Sequence, residues 1–159
     1  MSFSAIARAL SKSPLTQELV ERLAKTPYLS LNGLPRLPKG LVASAIAQAQ
    51  SKPLVIITAT LEEAGRWAAQ LEAMGWGTLH FYPTSEASPY EPFDHESEIT
   101  WGQLQVLADL LRLQEAAAAS EVNANWAIVA TERSLQPILP PVEVLQNYSV
   151  TVKQGSELN

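Results

Sequence analysis

The residues whose types and spacing come nearest to a chemical site lie between Tyr28 and Gly40. They read Tyr-Leu-Ser-Leu-Asn-Gly-Leu-Pro-Arg-Leu-Pro-Lys-Gly. The segment has the outline of the phosphate-binding P-loop, G-x-x-x-x-G-K-[ST]. Gly33 and Lys39 stand at the motif's separation, but Pro38 takes the place of the second glycine and Gly40 that of the hydroxyl residue. A working loop points successive backbone N–H groups into a concavity that holds an anion. Proline has no N–H and a fixed φ, so Pro38 removes a donor and the freedom that glycine supplied. Gly40 offers no oxygen to Mg²⁺. Gly33, Pro38, Lys39 and Gly40 thus read as a vestigial P-loop with no nucleotide cofactor. Lys39 reads as a solvent-facing residue in a helical first turn, although the helix dipole would still favour some anion there.

Other chemistry finds weaker support. Trp126 to Glu132 is an apolar run ending at an acid, as in a Walker B strand. Glu132 is better explained as a first-turn acid at a helix N-terminus. Asp94-His95-Glu96-Ser97-Glu98 gathers acids around one of two histidines, without the spacing that sets two metal ligands on one helical face. His80 lies in a strand, and nothing in the sequence brings it to His95. No serine sits in a G-x-S-x-G context, so no catalytic triad is nominated and no metal is expected.

The elements that must position these residues alternate strand and helix. Residues 1–12 read as a mobile or lightly docked helix. Ser13-Pro14 starts a second helix, with Leu15, Leu19 and Leu23 as its apolar stripe. Tyr28 to Leu31 reads as a first strand, followed by a helix from Pro38 to Gln50 with Leu41, Ala45, Ile46 and Ala49 inward. Leu54 to Thr58 is continuously apolar, as expected of the buried middle of a parallel sheet. Thr60 and Glu63 open a helix carrying Ala64, Trp67, Ala68 and Leu71 on one face, ended by Gly75. Thr78 to Tyr82 is a third strand. A long helix capped by Ser97 carries Leu104, Leu107, Ala108 and Leu111 at core spacing. Trp126 to Thr131 is a fourth strand, and Thr131 caps a short helix before Pro137. Pro140-Pro141 marks a boundary, after which Tyr148 to Val152 reads as a strand without partners. That unclosed end suggests a piece of a longer protein. The pattern implies an α/β fold with a mostly parallel sheet flanked by helices.

One long loop, Pro83 to Glu96, interrupts this pattern. Its Pro89, Tyr90, Glu91 and Phe93 could form a partner-contact surface, since such loops tend to be functional or tightly packed. In the alternative, Tyr90 and Phe93 plug the sheet and make the loop a rigid crossover.

Composition narrows the function. The chain has 159 residues and is 47% hydrophobic and 17% charged, which suits a globular domain with a real core. A net charge of −5 with no basic run argues against a dominant nucleic-acid surface. The absence of cysteine excludes disulfides, thiolate catalysis and Cys-based zinc sites. No apolar stretch is long enough for a membrane span and no signal-peptide pattern opens the chain, so a cytoplasmic location is expected.

Taken in order, these residues resemble the N-terminal region of the bacterial transcription-repair coupling factor family (Mfd). The match rests on the loop Gly33 to Gly40, then Pro53 to Thr58, Leu61-Glu62-Glu63-Ala64, Phe81-Tyr82-Pro83 through Ser88-Pro89-Tyr90-Glu91-Pro92, and Ile128 to Thr131. It covers roughly Ser13 to Gln154. The resemblance implies a P-loop NTPase/helicase-like fold like domain 1a of the excision-repair protein UvrB, with a degenerate P-loop. It implies a non-catalytic scaffold in transcription-coupled nucleotide excision repair, part of a UvrB-like module that recruits UvrA. ATP and Mg²⁺ would belong to a distant motor module of the parent, an ATP-dependent DNA translocase. RNA polymerase and DNA would be bound by other domains. On this basis residues 1–12 are an N-terminal extension, 13–141 the UvrB-like domain, and 142–159 the start of a truncated following domain. The rival expectation is a divergent nucleotidase or kinase-like domain using Lys39. A degenerate helicase-like module binding DNA directly is a third, against which the acidic charge weighs.

Overall fold

The computed structural model describes residues 2–82, 96–118, 125–136 and 139–148. Among them three strands form one parallel sheet: β1 (Leu54–Thr58), β2 (Thr78–Phe81) and β3 (Trp126–Thr131). Their order is β1-β3-β2, with Val55 and His80 both opposite Ile128, and Ile57 opposite Ala130. The chain therefore moves two places across the sheet and then one place back. Right-handed crossovers force moves of opposite direction onto opposite faces. The two connecting helices obey this. On α4 (Leu61–Ala73), Ala64, Trp67 and Leu71 pack with Ala127 and Val129. On α5 (Glu96–Ala118), Val106 packs with Tyr82 and Ala130 on the other face. The expected α/β architecture, a parallel sheet flanked by helices, is what the chain forms.

Three of the remaining helices build outward from the α4 face. The helix α3 (Arg36–Ala49) lies against α4, and α1 (Phe3–Ser11) lies against α3. The short α2 (Pro14–Lys25) touches both, while α6 (Val142–Tyr148) sits against α5. Caps explain the starts. Ser13 Oγ accepts from the Thr16 N–H at 3.3 Å with Pro14 at the first helical position, and Thr60 Oγ1 accepts from the Glu63 N–H at 3.2 Å. The end of α4 is a Schellman turn. Trp76 N–H reaches Leu71 O and Gly75 N–H reaches Glu72 O, with Gly75 at φ +87°.

Several expectations fail for physical reasons. Tyr28 to Leu31 is not a strand; the segment is irregular, and Tyr28 is 75% exposed. Among the described residues Leu54 to Thr58 is an edge of the sheet and not its middle, and α5 covers the neighbouring β3 but leaves Val55 and Ile57 52% and 57% exposed. On α3 the buried face is Gly40, Ser44, Ala45 and Ala47, while Ala49 is exposed. The α5 stripe includes Val106, which the four-residue spacing passed over. The first helix is firmly docked: Ala7 is wholly buried, and the buried Thr16 hydroxyl donates to Leu10 O at 2.7 Å, tying α2 to α1. Tyr148 closes α6 rather than opening a strand, and Ser149 to Val152 lie outside the described residues.

Candidate functional site

The vestigial loop leads into the N-terminus of α3. The chain passes from α3 into β1 through residues 50–53 alone, so the two run in opposite directions. The start of α3 lies along the second half of α4, where Arg36 reaches Gln70 and Gly40 meets Trp67 and Met74.

The local geometry there differs from that of a phosphate-binding loop. Asn32 and Gly33 form a turn, with Gly33 at φ +76°, a conformation glycine adopts without strain. Pro35 is the helix N-cap and supplies no side-chain acceptor. Pro38 falls at the third helical position, where a backbone N–H would have no intrahelical partner, so the helix tolerates it. The same substitution removes one of the donors that would face an anion. The Lys39 N–H is already spent inside the helix, donating to Pro35 O at 3.1 Å. Lys39 itself is partly buried. Arg36, the nearest other cation, donates from Nε to Gln70 Oε1 at 3.3 Å and so is turned along α4.

Gly40 is the most informative of the four. It is buried, and a Cβ built on it would meet Met74 Cε and Trp67 Cζ3, each at 3.0 Å. The position that carries a metal-binding hydroxyl in a working loop here faces the apolar contact between α3 and α4. Gly40 is a packing residue as well as a position without a ligand oxygen. The clue available beforehand was the small-residue run Gly40, Ser44 and Ala47 at helical spacing.

The acid of the Walker-B-like strand is elsewhere. Glu132 follows β3, is exposed, and donates its N–H to Thr58 O at 2.9 Å. It lines a cleft of about 320 Å³ at the carboxyl ends of β1 and β3, with Thr60, Thr131, Arg133 and Gln136. None of the four loop residues lines that cleft. The turn beside it is braced by a reciprocal pair: Ser134 N–H donates to Thr131 Oγ1 at 3.2 Å, and Thr131 N–H to Ser134 Oγ at 3.1 Å. Thr131, the last residue of β3, thus braces the 3-10 turn Arg133–Leu135 from one position before its N-cap, which is Glu132 and not Thr131.

Asp94 and His95 lie outside the described residues, as do Pro89, Tyr90, Glu91 and Phe93 of the long loop. Glu96 to Glu98 fall in the first turn of α5. Among the described residues no three His, Cys, Asp or Glu side chains are grouped to hold a metal. His80 is buried in β2. Burial also raises the Tyr82 phenol above its ordinary range. No helix among the described residues is long and apolar enough to cross a membrane.

Comparison with known proteins places this geometry in context. The chain is 28% identical over 145 residues to the transcription-repair-coupling factors of Mycobacterium bovis and Mycobacterium tuberculosis. The aligned part is 91% of this chain and 11% of each relative, so the chain spans about a ninth of their length. The resemblance read from the loop and the Pro-Tyr-Glu-Pro segment is therefore matched by similarity along nearly the whole chain. No protein-family profile and no solved structure matches it.

Proposed function

We propose that this chain is a non-catalytic scaffold module of a transcription-repair coupling factor. On this reading it forms part of a UvrB-like unit that recruits UvrA during transcription-coupled DNA repair in the cytoplasm. ATP and Mg²⁺ act in a separate motor of the parent translocase, and RNA polymerase and DNA are held by other domains. The similarity over 91% of the chain supports the family. The observation that carries the non-catalytic role is Gly40. A residue packed against Met74 and Trp67 is a crowded place for a hydroxyl to meet Mg²⁺, which supports this reading. The exposed Val55 and Ile57 fit a scaffold, because such apolar surface suits packing against further parts of a parent protein.

Isothermal titration with Mg-ATP tests the reading. No binding heat is expected, and micromolar affinity would overturn it in favour of a divergent nucleotide-binding domain. In that event Lys39→Ala should abolish both binding and hydrolysis. The recruiting role is tested in the full-length parent by capture of purified UvrA.

A further inference from the structure

We propose that the free edge of β2, with the groove beside it, binds an extended peptide segment of a partner protein as an added strand. The peptide carries a serine or threonine hydroxyl facing His80. Thr78 N–H donates to Asn125 O at 3.3 Å and Tyr82 N–H to Val129 O at 2.9 Å, so these residues turn their amides toward β3. Strand alternation then turns the Leu79 and Phe81 amides to the opposite edge. Among the described residues no strand pairs with that edge.

A groove of about 430 Å³ runs along the same three residues. Leu79, His80 and Phe81 form one wall, and Gly102, Gln105 and Asp109 of α5 stand on the other. His80 is 9% exposed, and its Nε2 is fully buried with no hydrogen-bond partner. A buried polar atom left unpaired is costly, and in native structures nearly all such atoms are paired with protein or ordered water. Two outward amides flanking an inward ring nitrogen match an extended backbone better than a compact ligand. In strand addition the main chain supplies affinity and the alternate side chains supply specificity. A hydroxyl suits Nε2 in either tautomer, because it both donates and accepts. Asp109 Oδ1 is paired with Arg112 at 3.3 Å, and the groove's hydrogen-bonding rim is made by Asp109, Gln105 and backbone.

The test uses the full chain, ¹⁵N-labelled, titrated with an end-blocked hexapeptide of alternating threonine and valine. Saturable shifts and slowed exchange are expected at the Leu79 and Phe81 amides, with a shift at His80 Nε2. An alanine–valine hexapeptide should bind about tenfold more weakly, the loss expected for one hydrogen bond to a buried group. Phe81→Pro removes an outward N–H without touching the β3 ladder and should abolish binding. His80→Leu should erase the preference for threonine over alanine, which decides the matter if the proline variant does not fold. The proposal is overturned if the Leu79 and Phe81 amides are already protected in the free protein, if neither peptide shifts them, or if His80→Leu keeps the threonine preference.

Discussion

Trp76 donates its indole N–H to Ser44 Oγ at 3.0 Å in the interior, joining the turn after α4 to the middle of α3. Ser44 is wholly buried, and its hydroxyl in turn lies 3.6 Å from Met74 Sδ. A tryptophan buried in a core usually needs such a partner for its N–H. Here that partner sits four residues beyond Gly40, on the same face of α3. Ser44→Ala keeps nearly the same volume but strands the indole N–H. A loss of about 1–3 kcal/mol is expected, read as a lower urea midpoint with an unchanged m-value.

Restoring the motif's hydroxyl should fail. Gly40→Ser places a Cβ 3.0 Å from Met74 and Trp67 atoms. The expected cost is about 1–3 kcal/mol of stability from overpacking, with no gain in Mg-ATP binding by titration. A stable variant that binds nucleotide would mean that the α3 contact adjusts easily.

Gly75 is constrained twice, by φ +87° and by Ser4, whose Cβ lies 2.8 Å from where a Gly75 Cβ would stand. Gly75→Ala should therefore cost more than about 1 kcal/mol. Adding Ser4→Gly should recover the steric part and leave the backbone part. The double-mutant cycle from thermal or urea unfolding measures that coupling.

Side chains of similar hydrophobicity on the two faces of the sheet should respond differently. Ile57→Thr, at an exposed site in β1, should change stability by no more than about 0.5 kcal/mol. Leu71→Ala, inside the α4 face, should cost about 2–5 kcal/mol. Equal effects in urea unfolding would mean that Ile57 is covered in solution.

Tyr82 gives a pH signature. Burial raises its folded-state pKa above the unfolded value, so its contribution is fully present below the unfolded pKa and lost as pH rises through the folded one. Unfolding midpoints should show no Tyr82-dependent slope below about pH 9 and fall above about pH 10. Tyr82→Phe should flatten that fall relative to wild type.

Local chemistry made much of this fold legible in the sequence. Ser13-Pro14, Thr60 with Glu63, and Gly75 set helix ends through contacts within a few residues, and each acts where expected. The strand Trp126–Thr131 was readable with both of its ends. Short-range hydrogen bonds and steric limits depend on neighbours in sequence, so the sequence carries them. The loop's lack of a second glycine and a hydroxyl was equally plain.

What tertiary structure alone decided is where each apolar residue points. Leu54 to Thr58 reads as a central strand because an apolar run is the same string whether both faces are covered or one. The strand order β1-β3-β2 left Val55 and Ile57 in the open. Tyr28 to Leu31 has strand-forming residues, but a strand exists only where a neighbour takes up its backbone, and the described sheet does not include it. Gly40 shows the same division most sharply. Sequence alone determined that this position has no oxygen for a metal. Only the approach of Met74 and Trp67 across the α3–α4 contact decided that a side chain there would be crowded as well.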